Sequence, residues 1–432
     1  MKLTDCQYTE HAMFKFLHAA DVHLDSPLHQ LDLYEGAPVD EFRQATRRAF
    51  INLIETAISE KVAFILLSGD LYDGDWKDYN TGLFLVKQLA KLKDHGIGAF
   101  ILAGNHDAAN KITKNLRFPE NVILFPSSQP TSFQIKKLQV ALHGQSYASR
   151  DVKTDLSKNY PDPVEGFYNI GLLHTCANGR EGHEPYAPCT LDQLNAKGYD
   201  YWALGHVHQY EILQADPPIV FSGNTQGRHI RESGPKGCAL VTVEDNGRSK
   251  VLFKTMDVVR WGMADIDATD AESAFEVVDR FKGKMEDLVE KNRNMPLALR
   301  VNITGETPAH EAMLSDVEKW SNEIRSMAAT HGNDKVWVEK IKFNTRMPLS
   351  NPLLEPSDGA MGELSGLFEE LKNDSEARLN LLSHLSDLDK KIPRELKEGE
   401  EGLHFDDPWI KDLLEQVKPM LIKRLIGKEG AS

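Results

Sequence analysis

The sequence has few cysteines, no long apolar segment and no excess of positive charge. Its four cysteines form no C-x-x-C pair and lie far apart, at Cys6, Cys176, Cys189 and Cys238. A disulfide scaffold is therefore excluded, and we expect reduced, buried thiols. The apolar run Val62–Leu67 is far shorter than the roughly 20 residues that span a bilayer. We expect a soluble, cytoplasmic protein with no membrane partner.

The chain is acidic. Its 432 residues carry 50 Lys and Arg against 65 Asp and Glu, which gives a net charge of −15. Proteins that bind polyanions nonspecifically usually have an excess of basic residues, because these neutralise phosphates. The charge therefore argues against a nonspecific nucleic-acid binder, although it does not describe a single cleft. With 41% hydrophobic residues the chain can bury a core, and its length suggests about three domains.

Strands and helices alternate in the first 260 residues. Phe14–Ala19, Ala63–Leu67 and Ala99–Leu102 are predicted to be buried strands, and amphipathic helices separate them. This order predicts a largely parallel sheet with helices packed on it. A second series of strands with shorter connections follows, between Val122 and Met256. We therefore predict that residues 12–260 form a four-layer αββα sandwich of two sheets between helices.

The pattern changes twice after this region. Residues 261–348 contain two helical segments that alternate with strands, which predicts a small α+β domain. Residues 349–432 form a predicted helical tail, with 18 Asp and Glu against 11 Lys and Arg. A solvated appendage and a partner-docking segment are both compatible with this composition. Two apolar clusters at helical spacing favour docking: Leu364, Leu367, Phe368 and Leu371, and Trp409, Leu413, Leu414 and Val417.

Three polar motifs, D-x-H, G-D and G-N-H-D, follow the first three predicted strands. Residues two apart in an extended chain point the same way, so the acid and the histidine of D-x-H converge. A lone Asp at a strand end is usually a turn residue. The tetrapeptide G-N-H-D is rarer by chance, and an Asx-type turn does not explain its histidine. The six candidate residues are Asp21, His23, Asp70, Asn105, His106 and Asp107.

Two further histidine motifs occur in the second series of strands. His174 follows the strand that begins at Asn169, but His143 has a similar position, and spacing alone does not decide between them. The motif G-H-x-H places His206 and His208 on one side of the chain. Paired imidazoles of this kind are typical of metal ligands.

Together the motifs bring carboxylates, an amide and several imidazoles to one edge of the predicted sheets. Unpaired carboxylates would repel each other there, and divalent cations would relieve that repulsion. Mixed His, Asp and Asn ligands suit Mn²⁺, Fe²⁺ or Zn²⁺. The ligands exceed the needs of one tetrahedral ion, so we predict two ions about 3.5–4 Å apart. Such a pair is suited to phosphoester hydrolysis, since it clamps the attacking and leaving oxygens and lowers the pKa of water.

The ordered motifs D-x-H, G-D, G-N-H-D, H and G-H-x-H, over residues 12–258, resemble the calcineurin-like metallophosphoesterase superfamily. Two segments, His18–Pro27 and Ser222–Gly237, resemble bacterial DNA repair exonucleases of the SbcD and YhaO type. The second segment is most similar to the YhaO branch. This resemblance implies the αββα fold, a capping domain at 261–348 and an active nuclease site.

The resemblance also implies a role for each candidate residue. His106 corresponds to the catalytic histidine, which binds no metal and stabilises or protonates the leaving oxygen. Asp107 corresponds to its orienting partner. Mn²⁺ is the favoured metal, with Fe²⁺ or Zn²⁺ as alternatives. The implied ligands are Asp21, His23 and His208 for the first ion, Asp70 as the bridging carboxylate, and Asn105, His174 and His206 for the second.

The expected function is that of a DNA exo/endonuclease in DNA repair. The resemblance implies an SMC-like ATPase partner, bound through helices of the tail, and a homodimer. Arg228 and Arg231 lie close to a predicted site loop, and we expect them to contact substrate phosphates. Two alternatives stay open: a small-molecule or nucleotide phosphodiesterase of the same superfamily, and a DNA-binding or ATPase-scaffolding subunit.

Overall fold

A computed structural model describes most of the chain. The described residues are 13–26, 39–73, 79–109, 116–177, 186–293, 295–332, 335–348, 360–393, 397, 404–411, 413–414, 417–418 and 421. They divide into two compact units. The first comprises the residues up to Ala264, Lys282–Val301 and Arg325–Ile341, and the second comprises Asp265–Phe281, Asn302–Ile324 and the residues from Lys342 onward. The domain boundaries drawn from the sequence at 260 and 348 stay predictions.

Strands and helices follow one another in the order that the sequence indicates. The strands are β1 (Phe14–Ala19), β2 (Phe64–Ser68), β3 (Gly98–Leu102), β4 (Val122–Leu124), β5 (Thr131–Ile135), β6 (Val140–Gly144), β7 (Tyr168–His174), β8 (Tyr201–Gly205), β9 (Tyr210–Ala215), β10 (Pro218–Ser222), β11 (Gly237–Val243), β12 (Ser249–Thr255), β13 (Arg260–Asp267), β14 (Leu297–Glu306) and β15 (Val336–Arg346). The helices are α1 (Val39–Ser59), α2 (Tyr79–Asp94), α3 (Asn105–Ala109), α4 (Leu191–Asn195), α5 (Ala274–Lys291), α6 (His310–Ser315), α7 (Val317–His331), α8 (Ala360–Asn373), α9 (Ser375–Ser383) and α10 (Ser386–Lys391).

The first sheet has the strand order β12-β11-β1-β2-β3-β4. Strands β1 to β4 are parallel, and β11 and β12 extend the sheet antiparallel at one side. Helices α1 and α2 cover its outer face, where Phe50, Leu53, Leu85 and Leu89 pack on Leu67 and other strand residues. Burial of these apolar side chains on one helix face is what holds the helices to the sheet.

The second sheet has the order β5-β6-β7-β8-β10-β9 and packs face to face on the first. Its four central strands are parallel, and the edge strands β5 and β9 are antiparallel to their neighbours. Aromatic rings fill the space between the sheets: Phe16 stacks on Phe64 at 5.1 Å and meets Tyr201 edge-on at 5.2 Å. The outer layer of the second sheet is thin, with the short helix α4 over Trp202 and Leu204. The αββα prediction is confirmed.

A third sheet, of order β13-β14-β15, follows the sandwich. Arg260 N–H donates to the Pro296 carbonyl, and Ala268 N–H donates to the Thr304 carbonyl. The two partners are equally far apart in sequence in both bonds, so β13 and β14 are parallel. Helix α5 connects β13 to β14, and α6 and α7 connect β14 to β15. The predicted small α+β region is therefore confirmed, with a break at Asp316 where a single helix was expected.

The tail forms helices in its described part. Asp374 caps α9 by accepting hydrogen bonds from the backbone N–H groups of Glu376 and Ala377. Of the first predicted apolar cluster, Phe368 is buried and Leu367 is 53% exposed. Residues 349–359 lie outside the described part of the chain.

The cysteine and membrane predictions concern the whole chain. Cys176, Cys189 and Cys238 are buried and free, while Cys6 lies outside the described residues. Within the described residues, no helix has both the length and the apolar character that crossing a membrane requires.

Candidate metal centre

The loops that follow β1 and β2 carry three predicted ligands in a strained backbone conformation. Asp21, His23 and Asp70 have φ angles of 50°, 46° and 53°, in the left-handed region that side chains rarely adopt. The two loops are joined by backbone hydrogen bonds, from Asp21 N–H to the Gly69 carbonyl and from His23 N–H to the Asp70 carbonyl, both 3.0 Å long. Strain of this kind is typical of functional sites.

Two motif glycines allow the close packing of these loops. A Cβ atom on Gly104 would lie 2.3 Å from Asp70 Oδ1, and one on Gly205 would lie 2.1 Å from the Ser68 carbonyl oxygen. Neither position can hold a side chain without moving its neighbour. The glycines of G-N-H-D and G-H-x-H are therefore required by the approach of the backbone to the site.

The first predicted ligand group lies together. Asp21, His23 and His208 each offer one ligand atom, and these three atoms lie within 4.8 Å of one another. The Nε2 atoms of His23 and His208 are 3.2 Å apart, and His208 Nε2 is 3.8 Å from Asp21 Oδ1. The backbone N–H of His206 donates to Asp21 Oδ2 at 2.9 Å, which fixes that carboxylate.

The second group gathers around His174. Its Nε2 is 2.9 Å from Asn105 Oδ1 and 3.3 Å from Asp70 Oδ2. Asp70 Oδ2 is also 4.0 Å from His23 Nε2, so Asp70 lies between the ligands of both groups, as the bridging role requires. The ring of His206 lies beside that of His174, with centroids 5.3 Å apart.

His143, the alternative to His174, lies elsewhere. Its Nδ1 is 2.7 Å from Ser132 Oγ and its Nε2 is 3.0 Å from Asn169 Oδ1. Both ring nitrogens therefore have partners within the second sheet, and His143 has a structural role.

The donor set fits divalent cations. The Nδ1–H of His174 donates to the Ser68 carbonyl at 2.9 Å, so in the neutral ring the Nε2 lone pair faces two oxygen acceptors. Only a cation or an added proton makes that arrangement favourable. In the same way His208 Nδ1 is bound to Glu232, which leaves the Nε2 lone pair directed into the site. All of these side chains are at least nine-tenths buried except that of His208, which is 23% exposed.

The pKa values show how strongly the buried charged groups act on one another. Burial lowers the pKa of His174, but the Asp70 charge and hydrogen bond more than compensate and raise it to about 9. Burial raises the pKa of Asp70, yet His174 and His106 bring it below its usual value. Burial raises the pKa of Asp21, against the opposing charge of His208. The site therefore favours positive charge at its centre.

His106 lies at the accessible side of the cluster and is held by Asp73. Its Nδ1 is 2.8 Å from Asp73 Oδ1, and its side chain is 28% exposed. Burial lowers the pKa of His106, but the hydrogen bond that its Nδ1–H donates to Asp73 and the charge of Asp70 raise it overall. Asp73 also accepts a 2.5 Å hydrogen bond from Ser26 Oγ. Against burial, these contacts lower the pKa of Asp73 to about 2.

The Asp107 carboxylate is bound to backbone amides. It accepts hydrogen bonds from the backbone N–H groups of Leu71 at 2.9 Å, Tyr72 at 3.0 Å and Gly104 at 3.0 Å. It therefore fastens the loop after β2 to the loop after β3. Asp107 was expected to orient the His106 ring, but the residue whose carboxylate lies beside that ring is Asp73. Asp73 could have been found in the sequence as the second acid of a G-D-x-x-D pattern, which begins at Gly69 and Asp70.

The two arginines expected at the substrate differ in their surroundings. Arg228 is 14% exposed, and its guanidinium contacts Glu232 Oε1 at 2.9 Å and Asp73 Oδ2 at 3.5 Å. Arg231, three residues further along the chain, is exposed. Glu232 was not predicted, and it binds His208 Nδ1 at 2.6 Å. A phosphate would have to compete with two carboxylates for Arg228.

A two-sheet sandwich with a His, Asp and Asn cluster at the carboxyl ends of its parallel strands defines a metal-dependent phosphoesterase. Models of known families agree with this class. Calcineurin-like phosphoesterase matches residues 14–210, and Metallophosphoesterase YhaO, middle domain, matches residues 261–346.

Individual relatives are more specific. Metallophosphoesterase YhaO of Bacillus subtilis is 30% identical over 95% of this chain and 97% of its own length. The DNA double-strand break repair protein Mre11 of Sulfolobus acidocaldarius is 26% identical over 69% of this chain and 77% of its own. Mre11 of Sulfurisphaera tokodaii is 29% identical over 47% and 51%. The chain belongs to the YhaO family of calcineurin-like metallophosphoesterases.

Proposed function

We propose that this metallophosphoesterase is a DNA exo/endonuclease that acts in DNA repair. The observation that carries the proposal is the cluster itself: two ligand groups meet at Asp70, and His106 lies beside them at the accessible side. A carboxylate between two ligand groups suits a pair of cations, and that pair suits an in-line displacement at phosphorus.

The protein residues have separate tasks in this reaction. When bound, two divalent ions would supply charge neutralisation at the phosphate and lower the pKa of water. The ligands that would hold them are Asp21, His23 and His208 on one side, Asn105, His174 and His206 on the other, and Asp70 between them. Asp73 fixes the Nδ1 side of the His106 ring, which leaves Nε2 free to donate a proton to the leaving oxygen. The raised pKa of His106 favours the protonated, donating form.

Mn²⁺ is the ion we favour, with Fe²⁺ or Zn²⁺ as alternatives. The donors are imidazole nitrogens with carboxylate and amide oxygens, and no thiolate belongs to the described cluster. This mixture suits Mn²⁺ and Fe²⁺, while Zn²⁺ more often takes four ligands. Metal analysis of the purified protein, after growth with each metal supplied, would identify the native ion.

DNA is the substrate that we favour. Two relatives that match 69% and 47% of this chain, at 26% and 29% identity, are named DNA double-strand break repair protein, which supports a DNA substrate. The overall acidity is not a strong objection, because part of it lies in the tail and because bound cations would offset the site carboxylates. A small-molecule phosphodiesterase is the main alternative.

The deciding experiment incubates the purified chain with end-labelled single- and double-stranded DNA and Mn²⁺. We expect cleavage by the wild type and none by His106→Ala or Asp70→Ala. His95→Ala, at an exposed histidine after α2, is the matched control and should cleave normally. Hydrolysis of a model diester with both DNA forms left intact would favour the small-molecule alternative. Normal repair in cells carrying His106→Ala would favour the scaffold alternative.

We propose that the tail binds an SMC-like ATPase and that the chain forms a homodimer. Exposed leucines on the tail helices support the first point, with Leu367 at 53% and Leu388 at 52% exposure. A Leu367→Asp, Leu388→Asp double variant should lose co-purification with the ATPase, while Glu370→Ala, on the same helix as Leu367, should retain it. Equal recovery of the partner by all three chains would contradict this role, and light scattering would test the dimer.

A further inference from the structure

The carboxylate of Glu232 is surrounded by hydrogen-bond donors from two loops, one that carries His208 and one that carries Asn224 and Arg228. Its Oε1 is bound to His208 Nδ1 at 2.6 Å and to the Arg228 guanidinium at 2.9 Å. Its Oε2 accepts from the backbone N–H of Arg228 at 2.8 Å and from Asn224 Nδ2 at 2.9 Å. Glu232 itself is only 5% exposed. A carboxylate with this many donors is held in one orientation, and it holds the His208 ring in turn.

The Arg228 guanidinium connects this carboxylate to the other side of the site. Its NH2 group binds Glu232, while its NH1 group is 3.4 Å from Ser26 Oγ and 3.5 Å from Asp73 Oδ2. Asp73 is the carboxylate that contacts His106. One planar, rigid cation therefore lies between the acid that fixes a metal ligand and the acid that fixes the catalytic histidine.

We propose that Arg228 and Glu232 form a positioning pair that aligns His208 and the Asp73–His106 pair with each other, and that Arg228 is not a phosphate contact. The inference rests on the two-ion site proposed above and is independent of whether the substrate is DNA. The partners that orient a ligand histidine usually affect metal affinity and activity by about 10–100-fold when they are removed.

Metal affinity tests the Glu232 half of the proposal. Mn²⁺ binding by isothermal titration calorimetry should show two ions in the wild type. Glu232→Gln should weaken one of them by about 10–100-fold and leave the other unchanged. Glu339→Gln is the matched control, because Glu339 pairs with Arg300 at 2.6 Å outside the cluster, and its two Mn²⁺ affinities should equal those of the wild type.

Kinetics with bis(p-nitrophenyl) phosphate tests the Arg228 half. A positioning residue affects kcat, whereas a phosphate contact that acts equally on the ground and transition states affects KM. We expect Arg228→Ala to lower kcat and the affinity of one Mn²⁺ with KM unchanged. Arg228→Lys should lie between wild type and Arg228→Ala, because an ammonium group cannot bind both acids in the forked geometry. Glu232→Gln keeps the side-chain shape and carries the test if Arg228→Ala does not fold.

The results that would contradict the positioning role can be told apart from those that would contradict the two-ion site. A raised KM in Arg228→Ala, with kcat and both Mn²⁺ affinities unchanged, would make Arg228 a phosphate contact and overturn the proposal. Wild-type Mn²⁺ affinities in Glu232→Gln would overturn it as well. A wild type that binds fewer than two Mn²⁺ ions would overturn the two-ion site, and this inference with it.

Discussion

Replacing Gly104 with alanine should disable the site while leaving the fold largely intact. The new Cβ would lie 2.3 Å from Asp70 Oδ1, 2.9 Å from Asp70 N and 2.9 Å from His174 Cε1. Cβ atoms do not approach other heavy atoms this closely, so the Asp70 carboxylate has to move by about 1 Å. A misplacement of that size can cost roughly 10²-fold in rate. The extra methyl group in a packed region should also destabilise the protein by about 1–3 kcal/mol.

Three measurements check this prediction: kcat on bis(p-nitrophenyl) phosphate, Mn²⁺ affinity and the free energy of unfolding in urea. Gly283→Ala is the control, because nothing lies within 4 Å of a Cβ at this position in α5. It should keep wild-type kcat and gain up to about 1 kcal/mol from helix propensity. Wild-type kcat and Mn²⁺ affinity in Gly104→Ala would refute the close-approach reasoning.

Three further predictions follow from buried groups. Burial lowers the pKa of His18 to about 3, below its value in the unfolded chain. The free energy of unfolding should therefore decrease as the pH falls below about 6.5, by about 2 kcal/mol between pH 7 and pH 5. Urea unfolding of His18→Gln should lack this pH dependence, and an equal dependence in the variant would contradict the prediction. Asp73→Asn should lower kcat by up to about 10²–10⁴-fold, the usual contribution of a general acid. It should also move the alkaline limb of the pH–rate profile to lower pH, since Asp73 raises the pKa of His106; an unmoved limb would count against the pair. Asp107→Ala leaves three backbone N–H groups without their acceptor and should cost at least about 3 kcal/mol of unfolding free energy; a loss below about 1 kcal/mol would exclude the fastening role.

The central strands could be predicted from the sequence because buried parallel strands are continuous apolar runs. Strand β1 lies where its pattern placed it, β2 is shifted by one residue at both ends, and β3 begins one residue earlier than predicted. Strands β5, β9 and β13 were missed. All three are edge strands with mixed exposure. The apolar runs of β5 and β9 are short and give no clear period.

The residues that we propose as metal ligands could be chosen from the sequence because each motif is local and each follows a strand whose carboxyl end reaches the same edge. The positions of Asp73 and Glu232 depend on how loops fold back in three dimensions. Asp107, adjacent to His106 in sequence, turns toward backbone amides, and Asp73, from another loop, takes the place beside the ring. Sequence proximity alone could not distinguish these two acids.

The central claim is that two metal ions lie among these ligands, with Asp70 between them. Anomalous diffraction from crystals grown with Mn²⁺ tests it most directly. We expect two peaks about 3.5–4 Å apart, one against Asp21 and His208 and one against Asn105 and His174. A single peak, or peaks away from these residues, would contradict the account.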